Sequence, residues 1–181
     1  MKQIALTLAL TCVLLFNSNA QTGPVPLSYM EVVELSDSTP KSDLFLRGRE
    51  WFNERFKSSK EVLQINDKES GELVGKGLME VSYTYNMLGK HEQWADVYFT
   101  LSVWVKDGRY KYEMSNFNVP ALLDGGALYS SDDYQYKYPG IGAKKSQEFY
   151  LGIKTATEKK SQELIQSLKM KMATKSKSSD W

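Results

Sequence analysis

The chain has 181 residues, 41% hydrophobic and 25% charged, a length that suits one domain and a composition ordinary for a globular fold. That balance excludes a polytopic membrane protein, a collagen-like fibre and a wholly disordered chain. With 23 basic and 22 acidic residues the formal net charge is +1, without the basic excess of a dedicated nucleic-acid binder.

Residues 1–20, MKQIALTLALTCVLLFNSNA, place Lys2 before an apolar run from Ile4 to Phe16, followed by Asn17-Ser18-Asn19-Ala20. This is the layout of a secretory signal peptide cleaved after Ala20. The run, about 13 residues, is short of the roughly 20 that span a bilayer. No second long apolar run follows, so no stable membrane anchor is expected once the segment is removed. Cys12, the only cysteine, lies inside the run and not at a lipidation junction. The remaining chain then has no disulfide, thiol nucleophile or thiolate metal site. Its 22 basic residues balance its 22 acidic ones.

The first strand is expected over 27–35, LSYMEVVEL. Thr39 reads as a helix N-cap and Pro40 as the first helical residue, with the helix reaching about Lys57. Leu44, Phe45, Gly48, Trp51, Phe52 and Phe56 recur on one face. Gly48 costs about 1 kcal/mol relative to alanine, which close approach to a sheet would justify. Residues 61–66 read as a short strand and Asp67 to Gly71 as a turn. A long strand follows over 72–85, with Gly75 and Gly77 on its core parity indicating a bend or bulge.

Over 93–106 the alternation is strict. Ala95, Val97, Phe99, Leu101, Val103 and Val105 share one face, and Trp94, Asp96, Tyr98, Thr100, Ser102 and Trp104 the other. Asp107-Gly108 closes a hairpin onto a strand over about 109–117. This pairs Val105 with Tyr110, Val103 with Tyr112 and Leu101 with Met114. Residues 118–143 are turn-rich. Residues 144–172 carry apolar side chains at three- and four-residue multiples, an amphipathic helix that Gly152 would interrupt. Residues 173–181 are a polar tail. A single domain over 21–172 with strand, helix, four strands, irregular segment and helix is an α+β sandwich of one antiparallel sheet and one helical layer.

PVPLSYMEVVEL and LFLRGREWFNERFKSSKEVLQINDKESGELVGKG resemble a family of secreted proteins from Gram-negative bacteria, domain-of-unknown-function family 4468 with a TBP-like fold. Glu34, Trp51-Phe52, Phe56-Lys57-Ser58 and Asp67 to Gly71 leading into Gly75-Lys76-Gly77 carry the resemblance. It spans about residues 24–117 and is most specific over 44–77. It implies a curved antiparallel sheet with helices on one face. It brings no activity and no catalytic residues, and a fold named after a DNA-binding protein does not confer that role.

No motif calls for a cofactor or metal. His91, the only histidine, lacks partners for a triad or zinc site and reads as a solvated loop residue. Gly75-x-Gly77 lacks the lysine and helix of a phosphate loop. Glu80, Asp96 and Glu113 fall on polar parities and could pair as a hydrolytic acid and base, but a solvated face is the ordinary explanation. Asp124, Asp132 and Asp133 do not follow a calcium-loop spacing and suit turns.

The aromatic residues are the strongest signal. Trp94, Tyr98 and Trp104 oppose the aliphatic face, with Lys111 expected opposite Trp104 and Phe117 near Tyr98. These five residues are the candidate binding surface. Large apolar patches are usually covered, so residues 118–143 or the arm 21–26 are expected to fold over them, with Tyr129, Tyr134, Tyr136 and Tyr138 as the cover. The same tyrosines could instead form a loop contacting sugar or peptide. The expected function is a non-catalytic exported module, periplasmic or extracellular, that binds an envelope protein, peptide or glycan. The alternatives are an envelope hydrolase using paired carboxylates and a purely structural domain. Nucleic acid is not an expected partner.

Overall fold

The computed structural model describes residues 23–35, 38–56, 62–86 and 89–174. The expected signal segment 1–20, the region around Lys57 and residues 175–181 lie outside the described residues. The elements are β1 (Tyr29–Glu34), α1 (Lys41–Arg55), β2 (Leu63–Asp67), β3 (Glu72–Asn86), β4 (Lys90–Lys106), β5 (Arg109–Asn118), a single 3₁₀ turn (Asp124–Gly126) and α2 (Ala143–Ala173). All strand pairs are antiparallel, in the order β1-β5-β4-β3-β2. The architecture is α+β, as the element order predicts.

The β4–β5 hairpin has the register read from alternation: Val105 faces Tyr110, Val103 faces Tyr112 and Leu101 faces Met114. All six are buried, with Val97, Phe99 and Tyr83 on the same side of the sheet. Period-two sequences put every second side chain on one face, and this face is the one that α1 and α2 cover.

The entry to α1 differs from expectation. Lys41 is the first helical residue, Pro40 takes the cap position and Thr39 is not the cap. Instead the Lys41 amide donates to Asp107 Oδ1 at 2.7 Å, and the Gly108 amide donates to the Thr39 carbonyl at 2.9 Å. The hairpin turn supplies the carboxylate that a helix N-terminus favours, so a distant residue replaces the local cap.

Gly48 does allow close approach: a Cβ there would stand 2.8 Å from Leu73 Cδ1. Gly75 and Gly77 do not interrupt the β3–β4 ladder, whose pairing runs unbroken from Glu72 to Asn86. They are sockets for aromatic rings. A Cβ on Gly75 would lie 2.6 Å from Phe52 Cε1, and one on Gly77 2.3 Å from Phe99 Cζ. The irregularity lies at the β2 side of Gly75: Leu63 pairs with Gly75 but Ile65 with Val74, so β2 carries the extra residue of a bulge opposite that glycine.

The second helix is continuous over 31 residues. Gly152 does not break it; a Cβ there would reach ordinary contact with Tyr83 at 3.4 Å. Two seams hold this helix. Toward α1, Trp51 Nε1 donates to Ser167 Oγ at 2.9 Å, and Lys171 pairs with Glu50 and Glu54 at 3.1 and 2.7 Å. Toward the sheet, Glu31 Oε2 accepts from Tyr112 Oη at 2.7 Å and Lys169 Nζ at 2.5 Å.

The hydrogen bond from Lys169, then that from Tyr112, holds the Glu31 carboxyl below its usual range. A carboxyl lowered in the folded state stabilises the fold above its unfolded pKa and loses that contribution as pH falls through the folded value. Glu31→Gln is therefore expected to be slightly less stable than the parent at pH 7, with the gap closing below about pH 4.5, the ordinary value for this group. The effect is small because the side chain is half-exposed. Urea denaturation at pH 7, 5 and 3 checks it, and a pH-independent gap would contradict the linkage.

Candidate functional site

The register maps the outer face row by row. Val32 of β1, Lys111 of β5, Trp104 of β4 and Glu72 of β3 form one row. Met30, Glu113, Ser102, Val74 and Ile65 form the next, across all five strands. Further along, Tyr98 faces Leu78, Asp96 faces Glu80 and Trp94 faces Ser82. Trp94 is 61% exposed, Tyr98 48%, Leu78 49%, Val32 55% and Met30 64%.

Among the described residues, the expected cover does not lie on this face. Residues 118–143 pack on the helical side instead. Their backbone bridges the N-terminal arm, Leu27 N donating to Leu128 O and Ser130 N to Val25 O. Tyr150 of α2 anchors them: its hydroxyl accepts the Tyr129 amide at 2.8 Å, and the rings of Tyr134 and Tyr136 each lie 5.4 Å from its own. The buried Lys154 ammonium donates to the Ser130 carbonyl at 2.8 Å and pairs with Asp132 and Glu158. An α2 tyrosine and lysine thus draw the loop to the opposite side.

Trp104 is half-buried between its neighbours. Its Nε1 donates to Glu72 Oε1 at 2.9 Å, and Lys111 Nζ lies 4.8 Å from the ring centroid, within cation–π range. Lys111 also reaches Glu113 at 4.0 Å. A depression of about 450 Å³ beside the ring is lined by Val32, Lys106, Arg109 and Lys111. A second, of about 350 Å³, lies between Lys76, Tyr98 and Asn116.

Phe117 does not belong to this surface. It is 4% exposed, 6.4 Å from Phe99 and 6.0 Å from Tyr29 by ring centroids. Thr100 pairs with Ser115 but Tyr98 with Asn118, so β5 carries one extra residue. Asn116, at φ 56°, accommodates it. A one-residue bulge reverses the side-chain parity beyond it. Asparagine is among the few residues that take this conformation readily, which is the signal that parity alone overlooked.

Glu80 and Asp96 are direct cross-strand partners and both exposed, while Glu113 is half-exposed. They stand on the open sheet without walls that would desolvate an acid/base pair. His91 lies at the start of β4 and not in a loop; it is exposed, its ring 5.8 Å from Tyr85. Asp133 is tied to Ser131 in a turn. Among the described residues, no three carboxylate, histidine or cysteine side chains group to hold a metal ion.

A second concavity escaped the sequence reading except for Tyr138. On the helical side, where the β3–β4 hairpin overhangs the start of α2, a cleft of about 240 Å³ is lined by Tyr83, Tyr85, Gln93, Tyr138, Ile141, Lys145, Glu148 and Phe149. The Tyr83 and Phe149 rings meet edge to face at 5.3 Å, and Tyr138 lies 6.0 Å from Phe149. Burial, then neighbouring Tyr85, holds the Tyr83 hydroxyl above its usual range. The core parity was legible as far as Tyr83 and Tyr85; the missed signal was its continuation through His91 and Gln93, beyond the aliphatic run that the helices cover.

The model of the family described as a domain of unknown function (DUF4468) with TBP-like fold matches residues 29–119. The chain belongs to this family. The match takes in β1 through β5 and ends just beyond the sheet. A crystal structure of a DUF4468 family protein from Bacteroides ovatus is similar with a TM-score of 0.61 at 12% identity, covering 82% of this chain and 87% of that one. A TBP-like protein from Parabacteroides distasonis is similar with a TM-score of 0.47 at 15% identity, covering 80% and 93%. No curated protein matches. For this DUF4468 chain the likeness to the Bacteroides ovatus structure covers more of the chain than the family match does, and it concerns the fold.

Proposed function

We propose that the chain is a non-catalytic, exported binding module of a Gram-negative cell envelope, periplasmic or extracellular, whose working surface is the open face of the sheet. The observation that carries this reading is the bare outer face, on which Trp94, Tyr98, Leu78, Val32 and Met30 stand exposed. These side chains alternate with Glu80, Asp96, Lys111 and Glu113, and exposed Trp and Tyr on such a mixed surface supply most of the energy of interaction sites. At about 4.8 Å spacing the face is roughly 20 Å wide where all five strands run side by side near Trp104, and it narrows to the two-stranded β3–β4 ribbon at Trp94. The apolar side chains spread over β1, β3 and β4 instead of converging on one pocket, so a protein or peptide partner fits this surface better than a glycan.

A hydrolase built on Glu80, Asp96 and Glu113 has no support from their placement. Glycosidase carboxylates work in an enclosing cleft that sets their pKa values apart, and here the pair stands in solvent.

Photo-crosslinking tests the reading. With p-benzoylphenylalanine at Trp94 or Tyr98, the chain expressed in its native envelope should yield a discrete adduct, and the same probe at Lys159 should not. The chain recovered from the envelope should begin at Gln21 by mass spectrometry. No adduct at either outer-face position, with folding intact, would remove this surface as the working one.

A further inference from the structure

The cleft between the β3–β4 overhang and the start of α2 is separate from the outer face, on the opposite side of the sheet. We infer that it is a saccharide-binding site that takes one sugar ring. Four aromatic rings line it: Tyr83, Tyr85, Tyr138 and Phe149. Aromatic faces present broad apolar surface to the C–H faces of a pyranose, with a polar tip on each tyrosine.

The polar groups favour a neutral, hydroxyl-bearing guest. Lys145 and Glu148 are the charged residues of the lining and cancel one another. A cationic guest would meet the lysine and an anionic one the glutamate. The other polar groups are three tyrosine hydroxyls and the Gln93 amide, which donate and accept alike. Sugar hydroxyls do the same, so each contact can be satisfied in either direction. A purely apolar side chain would bury these groups unpaired, which is unfavourable. Among the described residues, the hydroxyls of Tyr83, Tyr85 and Tyr138 take no hydrogen-bond partner from the protein.

Size limits the guest. About 240 Å³ is below the roughly 300–1,000 Å³ of drug-sized sites, so a single ring enters and a longer glycan would extend outward past Gln93 and Ile141, both exposed. The walls are partly prepaid: Phe149 is held between Tyr83 and Tyr138 by edge contacts, and the Tyr138 amide donates to Ser146 Oγ at 3.0 Å. A pre-ordered wall reduces the entropy lost on binding.

Saturation-transfer difference NMR on the purified chain tests this, with methyl glucoside, methyl galactoside and N-acetylglucosamine as probes, and tetramethylammonium and a phenylalanine dipeptide as competing classes. At least one saccharide should receive saturation at its ring protons, with an affinity of roughly millimolar order. Tyr85→Ala, and separately Gln93→Leu at an exposed position, should weaken that binding about tenfold or more, with thermal melting confirming the fold. Lys159→Ala should not change it. Three results would overturn the assignment: no transfer to any saccharide, tighter binding of tetramethylammonium or the dipeptide, or transfer that survives Tyr85→Ala but is lost in the Trp94→Ala/Tyr98→Ala variant. The last would place sugar on the outer face, so the two surfaces are distinguishable.

Discussion

Gly77→Ala is expected to destabilise the fold by about 1–3 kcal/mol, the usual range for overpacking a core. On local grounds the sign should be the reverse, since glycine inside a strand costs roughly 0.5–1 kcal/mol relative to alanine. Geometry decides. Gly77 faces Phe99 across the ladder, and a Cβ would come within 2.3 Å of Phe99 Cζ. A ring tip could normally swing aside, but Phe99 is 2% exposed and wedged between Phe56 and Phe117 at 6.3 and 6.4 Å. Phe99→Leu vacates the space, so the Gly77→Ala/Phe99→Leu double variant should be more stable than the sum of its two single losses implies. Contacting residues couple in this way. Urea denaturation of the four members of the cycle measures the coupling. Additive losses, or a stabilising Gly77→Ala, would show that the glycine serves another purpose.

Arg47→Met should cost about 1.5–3 kcal/mol, the range for a hydrogen bond to a charged group. The Arg47 side chain is 3% exposed and its Nη1 donates to the Met172 carbonyl, in the last turn of α2, at 2.7 Å. Terminal helix carbonyls lack intrahelical donors, and a cation there also suits the helix dipole. An opposing term exists: among the described residues the buried Nε has no partner, and removing a desolvated charge returns some free energy. That relief does not win, because methionine keeps the packing but leaves a buried carbonyl bare. Only one guanidinium nitrogen makes this bond, so Arg47→Lys should recover a large part of the loss. The check is chemical denaturation of Arg47→Met and Arg47→Lys beside the parent. A methionine variant as stable as the parent would mean that the carbonyl finds another donor.

The β4–β5 register was legible because alternation over 93–106 and the Asp107-Gly108 turn are both local in the chain. The two-residue turn sets Val105 opposite Tyr110, and the alternation agrees in parity. Phe117 was not legible by parity, since one extra residue at Asn116 inverts every position after it. Gly75 and Gly77 were noticed for the right reason, the absence of a side chain, but a bend and a socket look alike in sequence. Phe52 and Phe99, which fill those sockets, lie 23 and 22 positions from their glycines. Trp94 and Tyr98 were placed correctly on the outer face, whereas the cover expected over them was not found there. The cleft at the start of α2 was visible only as Tyr138, because its walls come from three separate parts of the chain.

Period-two and helical spacing, read from the residues alone, determined which strands and helices exist and, up to the bulge at Asn116, which face each buries. Those properties follow from backbone geometry acting over a few residues. Which side the segment 118–143 would take was decided only in three dimensions, by the Tyr150 hydroxyl and the buried Lys154 ammonium reaching its backbone. Long-range hydrogen bonds of this kind leave no periodic trace in the chain. For that reason the bare sheet face and the aromatic cleft, the two surfaces on which function is argued, emerge from the tertiary structure.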